Sequence, residues 1–131
     1  MKNLIYIFTL FFIFSCRDDN DNETLSNQDL IGNWTWKKST GGINGITETP
    51  ESTNKTINLV ISNDAVKIYE NGNLTSENNY NLQIKESIQG GNKPMLIYSP
   101  YKPSQNYQIN GNKLYLNDEC NDCYNSEYEK E

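Results

Sequence analysis

The sequence predicts an all-β protein, a small antiparallel up-and-down barrel of about eight strands. Three observations predict it. From Leu25 onward the apolar residues alternate with period two. The alternating runs are bounded by Asn, Asp and Gly pairs that favour tight hairpins. No window of eleven residues beyond the first sixteen carries a helical apolar stripe.

Taken in order, Leu25 to Ile31 can form one helical turn leading into a strand that carries Trp34 and Trp36. Ile57, Leu59 and Ile61 then share one face of a strand that ends at the turn pair Asn63-Asp64. Val66 and Ile68 resume the pattern up to Asn71-Gly72. Tyr80, Leu82 and Ile84 mark the next strand, which stops at Gly90-Gly91, and Met95 to Tyr98 mark the one after. Tyr107 and Ile109 precede the turn Gly111-Asn112, Leu114 and Leu116 follow it, and Tyr124 to Tyr128 close the set. Facing inward would be the two tryptophans, Ile57, Leu59, Ile61, Val66, Ile68, Tyr80, Leu82, Ile84, Ile97, Tyr107, Ile109, Leu114 and Leu116. Eight strands in this span leave about seven residues each, and so narrow a barrel is filled by its own side chains or holds one small ligand.

The whole chain has 131 residues, 11 basic and 17 acidic, and a formal charge of −6. That length fits one domain. The acidic balance, with a sequence pI of about 4.6, argues against nucleic acid as a partner. A mean hydropathy of −0.78 argues against a protein of several membrane spans. With no histidine, neither a Ser-His-Asp triad nor a histidine metal site can be built. No cofactor is expected.

Lys2, the apolar run Leu4 to Phe14 broken only by Thr9, and the small residue Ser15 read as a secretory signal peptide over 1–15. The run is too short to span a bilayer, and the charged Arg17-Asp18-Asp19 that follows argues against a buried terminal element. Ile13-Phe14-Ser15-Cys16 resembles a bacterial lipobox, although Phe14 departs from the usual small or aliphatic residue. The resemblance implies cleavage between Ser15 and Cys16 and acylation of Cys16, hence a membrane partner through the lipid; two or three acyl chains anchor a small domain stably. Residues 16–28 then form an acidic tether, without an apolar side chain from Arg17 to Glu23, ahead of the domain at 29–131. Cys16-Arg17-Asp18-Asp19 is similar to the export signal of Bacteroidetes lipoproteins. That implies an outer-membrane location on the cell surface, the alternative being the periplasmic face.

Leu30-Ile31-Gly32-Asn33-Trp34 resembles the Gly-x-Trp opening of lipocalin-like barrels. The glycine loop Ser39 to Gly45, ending at Thr49-Pro50, and the hairpin from Tyr107 to Asn117 are similar to those of small bacterial lipocalin-like lipoproteins. The resemblance implies a barrel with a tryptophan at one end and a binding mouth, with Trp34, Trp36, Gly41, Gly42, Ile43 and Ile46 as candidate contacts, plain core packing being the favoured reading of the two tryptophans. Arg17 is the only arginine, so the basic residue that stacks on the tryptophan in many lipocalins would have to be a lysine such as Lys130.

Cys120 and Cys123 lack the further ligands of a zinc site and the βαβ setting of a redox motif. They read as a short disulfide, with two free thiols as the alternative. Asp118, Glu119 and Asp122 lack calcium-loop spacing and read as a solvated turn. Gly41, Gly42 and Gly45 lack the lysine and helix of a phosphate loop, and read as a flexible or positive-φ loop across a barrel mouth. Asn22, Asn33, Asn54 and Asn73 each open an Asn-x-Thr sequon. Glu127, Glu129 and Glu131 read as the wet face of a last strand. A non-catalytic module that binds a small apolar ligand or an envelope protein is the expected function. A ligand-free structural or stress lipoprotein is the alternative, and a hydrolase with paired carboxylates a third, disfavoured because the acidic residues fall in turns and tails.

Overall fold

The computed structural model describes residues 25–100 and 102–131. The expected signal peptide, Cys16, the Arg17-Asp18-Asp19 run and the rest of the expected tether up to Thr24 lie outside the described residues. The nine strands are β1 (Gly32–Gly41), β2 (Ile46–Glu48), β3 (Ile57–Ile61), β4 (Ala65–Glu70), β5 (Asn73–Glu86), β6 (Asn92–Ser99), β7 (Gln105–Asn110), β8 (Lys113–Asp118) and β9 (Tyr124–Lys130). Consecutive antiparallel pairing from β3 to β9, with β1 bonded to both β3 and β9, closes an eight-stranded up-and-down barrel. The ninth strand, β2, is an extra: it takes the edge of β1 at Ser39–Gly41, beyond the point where β3 pairs with it. Neither β2 nor the single helical turn α1 (Pro50–Thr53) follows from apolar alternation. Thr49 and Ser52 form a reciprocal capping box around α1 and Pro50 starts it, so local hydrogen bonding alone specifies that turn.

The interior is packed with side chains. Trp34, Leu96 and Leu114 are fully buried, and Trp36, Leu59, Ile61, Val66, Tyr80, Tyr98, Leu116 and Tyr128 join them. Most of the expected inward set is there, with Ile57, Ile68, Leu82, Tyr107 and Ile109 packed against its margin. Two residues are not. Ile97 points outward and Leu96 and Tyr98 point in, because the unbroken apolar run Met95 to Tyr98 does not announce its own parity. Ile84 shares the face of Tyr80 and Leu82 but is 47% exposed, since its hairpin has left the barrel wall there. Nor are the strands uniformly short. β5 runs 14 residues, pairing with β4 over its first half and β6 over its second.

Besides a register shift between β4 and β5 at Ile68/Tyr69, two irregularities bear on the ends of the barrel. In β1 the register against β9 shifts between Trp36 and Lys38, a bulge at Lys37. Before it Trp34 and Trp36 face inward; after it Ser39 and Gly41 do. The second lies between β6 and β7, which share only the pairs Met95↔Asn106 and Leu96↔Gln105, whereas β7 and β8 share six. The Glu119 N–H donates to the Ser104 carbonyl, so by antiparallel alternation Gln105, Tyr107 and Ile109 turn their backbone groups toward β6. The Met95↔Asn106 pair carries the Tyr107 N–H to the Pro94 carbonyl, and the bonds still missing are those that Pro94 and Pro103 would donate to Tyr107 and Tyr98. Neither proline has an N–H to give, and the ladder stops at both.

Freed beyond Pro94, the β5–β6 hairpin folds across the outside of β7 and β8. Its tip is latched there by Glu119, whose carboxylate accepts from the Ser87 hydroxyl (2.8 Å), the Ile88 N–H (2.8 Å) and the Asn106 amide (2.6 Å). Gln89 reaches on to Asn125 at 3.4 Å. Glu119, read from sequence as part of a solvated turn, is therefore a structural acceptor. Met95, Ser87 and Asn106 are buried beneath the hairpin.

Candidate functional site

The barrel has two unlike ends. At the end holding the chain's N-terminal side, Leu30 plugs the interior on the turn whose Leu30 and Ile31 N–H groups both donate to Asn27 O. The Trp34 indole N–H donates to the Leu30 carbonyl at 2.8 Å, and Tyr80 donates its hydroxyl hydrogen to the Ser62 carbonyl at 2.7 Å. The Asn27 amide spans the Asn63 carbonyl and the Tyr80 oxygen. Lys130 lies over Trp34 with Nζ 5.1 Å from the ring centroid and donates to the Asp29 carbonyl. A lysine thus fills the position over the tryptophan. Trp34 itself is wholly enclosed at this end and does not reach the mouth.

The opposite end carries a mouth. A cavity of about 520 Å³ is lined by Trp36, Ser39, Glu48, Thr53, Lys55, Ile57, Tyr124 and Ser126. Trp36 and Ile57 form its apolar floor. The bulge at Lys37 makes the floor possible: it turns Ser39 inward to accept the Trp36 indole N–H at 2.8 Å, and Ser39 and Ser126 share a hydrogen bond of 2.6 Å. The rim is charged, with Glu48 in no ion pair among the described residues and Lys55 paired to Glu70 at 3.1 Å.

The rest of this end is stoppered by polar side chains. The Tyr98 hydroxyl donates to the Gln105 side-chain oxygen Oε1, and the Gln105 side-chain Nε2 donates to Asp118, both at 2.6 Å. Lys102 covers the Tyr98 ring at 4.5 Å. Burial raises the Tyr98 phenol far above its ordinary range, helped by Tyr128, Asp118 and Tyr80. Burial likewise pushes Tyr128 up to about 12, against a hydrogen bond with Ser126. Burial lowers Lys102, which Asp118 opposes. At neutral pH both phenols are therefore neutral.

Of the mouth contacts expected from sequence, only Trp36 lines the cavity. Ile43 on the β1–β2 loop and Ile46 at the start of β2 stand 89% and 56% exposed, outside it. Gly42 has φ of +72° and lies beside the Tyr124 hydroxyl, consistent with a positive-φ loop. Gly41 serves a different purpose from the flexibility expected of it. A Cβ there would overlap the Cys123 carbonyl oxygen and stand 2.8 Å from the Tyr124 Cα, so glycine lets β1 and the β8–β9 loop meet backbone to backbone. That loop is closed by a Cys120–Cys123 disulfide with Cα atoms 5.6 Å apart. Asp118 and both cysteine sulfurs form one group of metal-type ligands among the described residues, but sulfurs joined to each other offer no thiolate. Ser39, Glu48, Thr53, Lys55, Ser126 and, at the start of the last strand, Tyr124 are the lining residues that sequence reasoning missed. Their polar side chains carry no alternation signal, and it is the bulge, β2 and α1 that bring them together. No family model, curated protein or solved structure matches the chain.

Proposed function

We propose that this chain is a lipid-anchored envelope lipoprotein of lipocalin-like type whose barrel mouth binds a small, mainly apolar molecule without catalysis. One observation carries the reading: a cavity of about 520 Å³ floored by Trp36 and Ile57 opens at one end of an otherwise filled barrel. Its size falls in the range of small-molecule sites, and an apolar floor under a few polar groups is their usual chemistry. A ligand would lay an apolar body on Trp36 and Ile57 and turn a polar group toward Ser39, Thr53 or Lys55.

The anchor fits the same arrangement. The chain reaches the barrel at Leu25–Leu30, at the end opposite the mouth, so a lipid on Cys16 would leave the mouth facing away from the membrane. Labelling with a clickable fatty acid tests the anchor; incorporation that survives loss of Cys16 would refute it. Proteinase treatment of intact cells tests surface display, and full protection would put the domain in the periplasm.

A ligand-free structural lipoprotein is the second reading, favoured by the dense interior in which Trp34, Leu96 and Leu114 have no exposed surface. A paired-carboxylate hydrolase has less support, because Glu48 is the single carboxylate lining the mouth cavity and that mechanism uses two. Native mass spectrometry of the gently purified protein separates the first two readings. We expect a retained small mass that Thr53→Trp, filling the cavity, abolishes. A clean apo mass would favour the structural reading.

A further inference from the structure

The outer wall of the barrel carries a shallow cavity of about 280 Å³, apart from both the mouth and the sealed end. It is lined by Asn33, Asn58, Val60, Tyr69, Gly72 and Glu131. The register puts these side chains on one outward face of β1, β3 and β4. Asn33 pairs with Val60 and Asn58 with Tyr69, while their strand neighbours Trp34, Leu59 and Ile61 are in the core. A bulge enlarges the apolar part of this face. Ile68 pairs with Ser76 and Tyr69 with Leu74, so Thr75 is the extra residue. Plain alternation from Ser76 would send Leu74 inward; the bulge turns it outward beside Tyr69, where it stands 51% exposed.

The polar part is fixed in place and unfilled. The Glu131 N–H donates to the Asn33 carbonyl at 3.1 Å and its Oε1 accepts from the Thr35 hydroxyl at 2.9 Å, while Oε2 has no partner among the described residues. The Asn33 and Asn58 side-chain amides bond no other group among the described residues. Lys67, opposite Val60 on the same face, is paired to Glu77 at 3.8 Å. A comparable outer hollow around Tyr115, Asn117 and Asn125 is crossed instead by ion pairs, with Lys38 and Lys113 both on Glu127. These groups narrow the ligand. An anion would meet a carboxylate and no unpaired cation. A cation would find that one carboxylate and could not use the amide N–H groups. A wholly apolar molecule would cover both amides without bonding them. A neutral pyranose ring satisfies both parts, with C–H groups on its face for Tyr69 and Val60. Its rim hydroxyls both donate and accept, as two amides and a carboxylate require. The volume is below the range of about 300–1,000 Å³ for drug-sized sites, which suits a single ring.

We propose that this hollow on the outward face of β1, β3 and β4 binds one sugar unit of a neutral glycan. The ring lies on Tyr69 and Val60, and its hydroxyls bond Asn58, Asn33 and Glu131. The site is separate from the mouth cavity, and does not depend on what the mouth binds.

Titrating the isotope-labelled full chain with oligosaccharides, followed by amide resonances, tests it. The probes are linear hexamers of glucose, mannose, galactose, xylose and N-acetylglucosamine, with the anionic hexamer of galacturonate as control. At least one neutral hexamer should shift the amides of Asn33, Asn58 and Tyr69 and leave those of the mouth in place. Tyr69→Ala should weaken that hexamer about tenfold. Asn58→Ala should weaken it about fivefold, with the circular dichroism unchanged. Tyr115→Ala, at the hollow crossed by ion pairs, should leave the affinity as it was. If Tyr69→Ala fails to fold, the shift map and Asn58→Ala decide. No shift with any neutral hexamer, shifts confined to another face, unaltered affinity in Asn58→Ala, or tighter binding of the galacturonate hexamer would each overturn the proposal.

Discussion

The two ends of the barrel are built from the same strands and closed by opposite means. One end is sealed by apolar volume: Leu30 under the terminal turn, Trp34 bonded to its carbonyl, Lys130 laid over the ring. The other is framed by polar contacts and covalent geometry: Ser39 with Ser126, Tyr98 with Gln105 and Asp118, the Cys120–Cys123 bridge, and Gly41 against the bridge backbone. Apolar packing tolerates no vacancy and leaves no room for a ligand. A polar frame holds a rim in place while a cavity stays open between its members. The β1 bulge divides the two regimes, since it ends the run of inward tryptophans and begins a run of inward small residues.

If that contrast is right, substitutions at the two ends should differ in size and in kind. Trp34→Ala should have the largest effect, lowering unfolding free energy by about 3–5 kcal/mol in a denaturant titration, because it empties the sealed end. Gly41→Ala should cost about 1–3 kcal/mol, since the new methyl must displace the Cys123 backbone; its damage should appear as shifted amide resonances confined to the mouth. Replacing Cys120 and Cys123 with serine should cost about 2 kcal/mol or less, the bridge closing only a short loop. Lys130→Met should be the smallest, about 0.5–1 kcal/mol, because the cation over Trp34 is solvent-exposed while the ring beneath stays packed.

A further prediction concerns acid, and sharpens the contrast by adding the wall between the ends. Burial raises the Glu119 carboxyl, but hydrogen bonds from Asn106, the Ile88 N–H and Ser87, with Lys93 nearby, outweigh it and hold the carboxyl below its ordinary range. Its folded value is thus depressed, so its contribution is complete above the unfolded value of about 4.3 and is lost as pH falls through the folded one. The protection of the Ile88 amide, measured against its intrinsic exchange rate at each pH, should fall over that acid window while the sealed end stays protected. Glu119→Gln should remove the pH dependence.

How far the fold could be read from the chain follows from which forces act locally. The period-two signal is plain wherever polar and apolar residues alternate cleanly, as at Leu59 and Ile61 or Leu114 and Leu116, and those residues are in the core. It fails at Met95 to Tyr98, where four apolar residues in a row leave both parities open, and Ile97 faces out against expectation for that reason. The lining of the mouth was the least legible part. It depends on a register shift at Lys37, set by pairing with the strand at the far end of the chain, and on polar residues whose inward direction no hydropathy pattern reveals. The two prolines that end the β6–β7 ladder were in plain view. Their effect needed the register, because a proline interrupts pairing only on the side to which its nitrogen points.

The contrast between the ends is tested most directly by quenching each tryptophan separately with acrylamide. Trp34→Phe leaves Trp36 as the sole reporter of the mouth, and Trp36→Phe leaves Trp34 as the reporter of the sealed end. Trp36, 2% exposed at the floor of the cavity, should be the more quenchable of the two, since the Trp34 ring has no exposed surface. Equal quenching of the two would mean that the mouth is as closed as the sealed end, and would contradict the account.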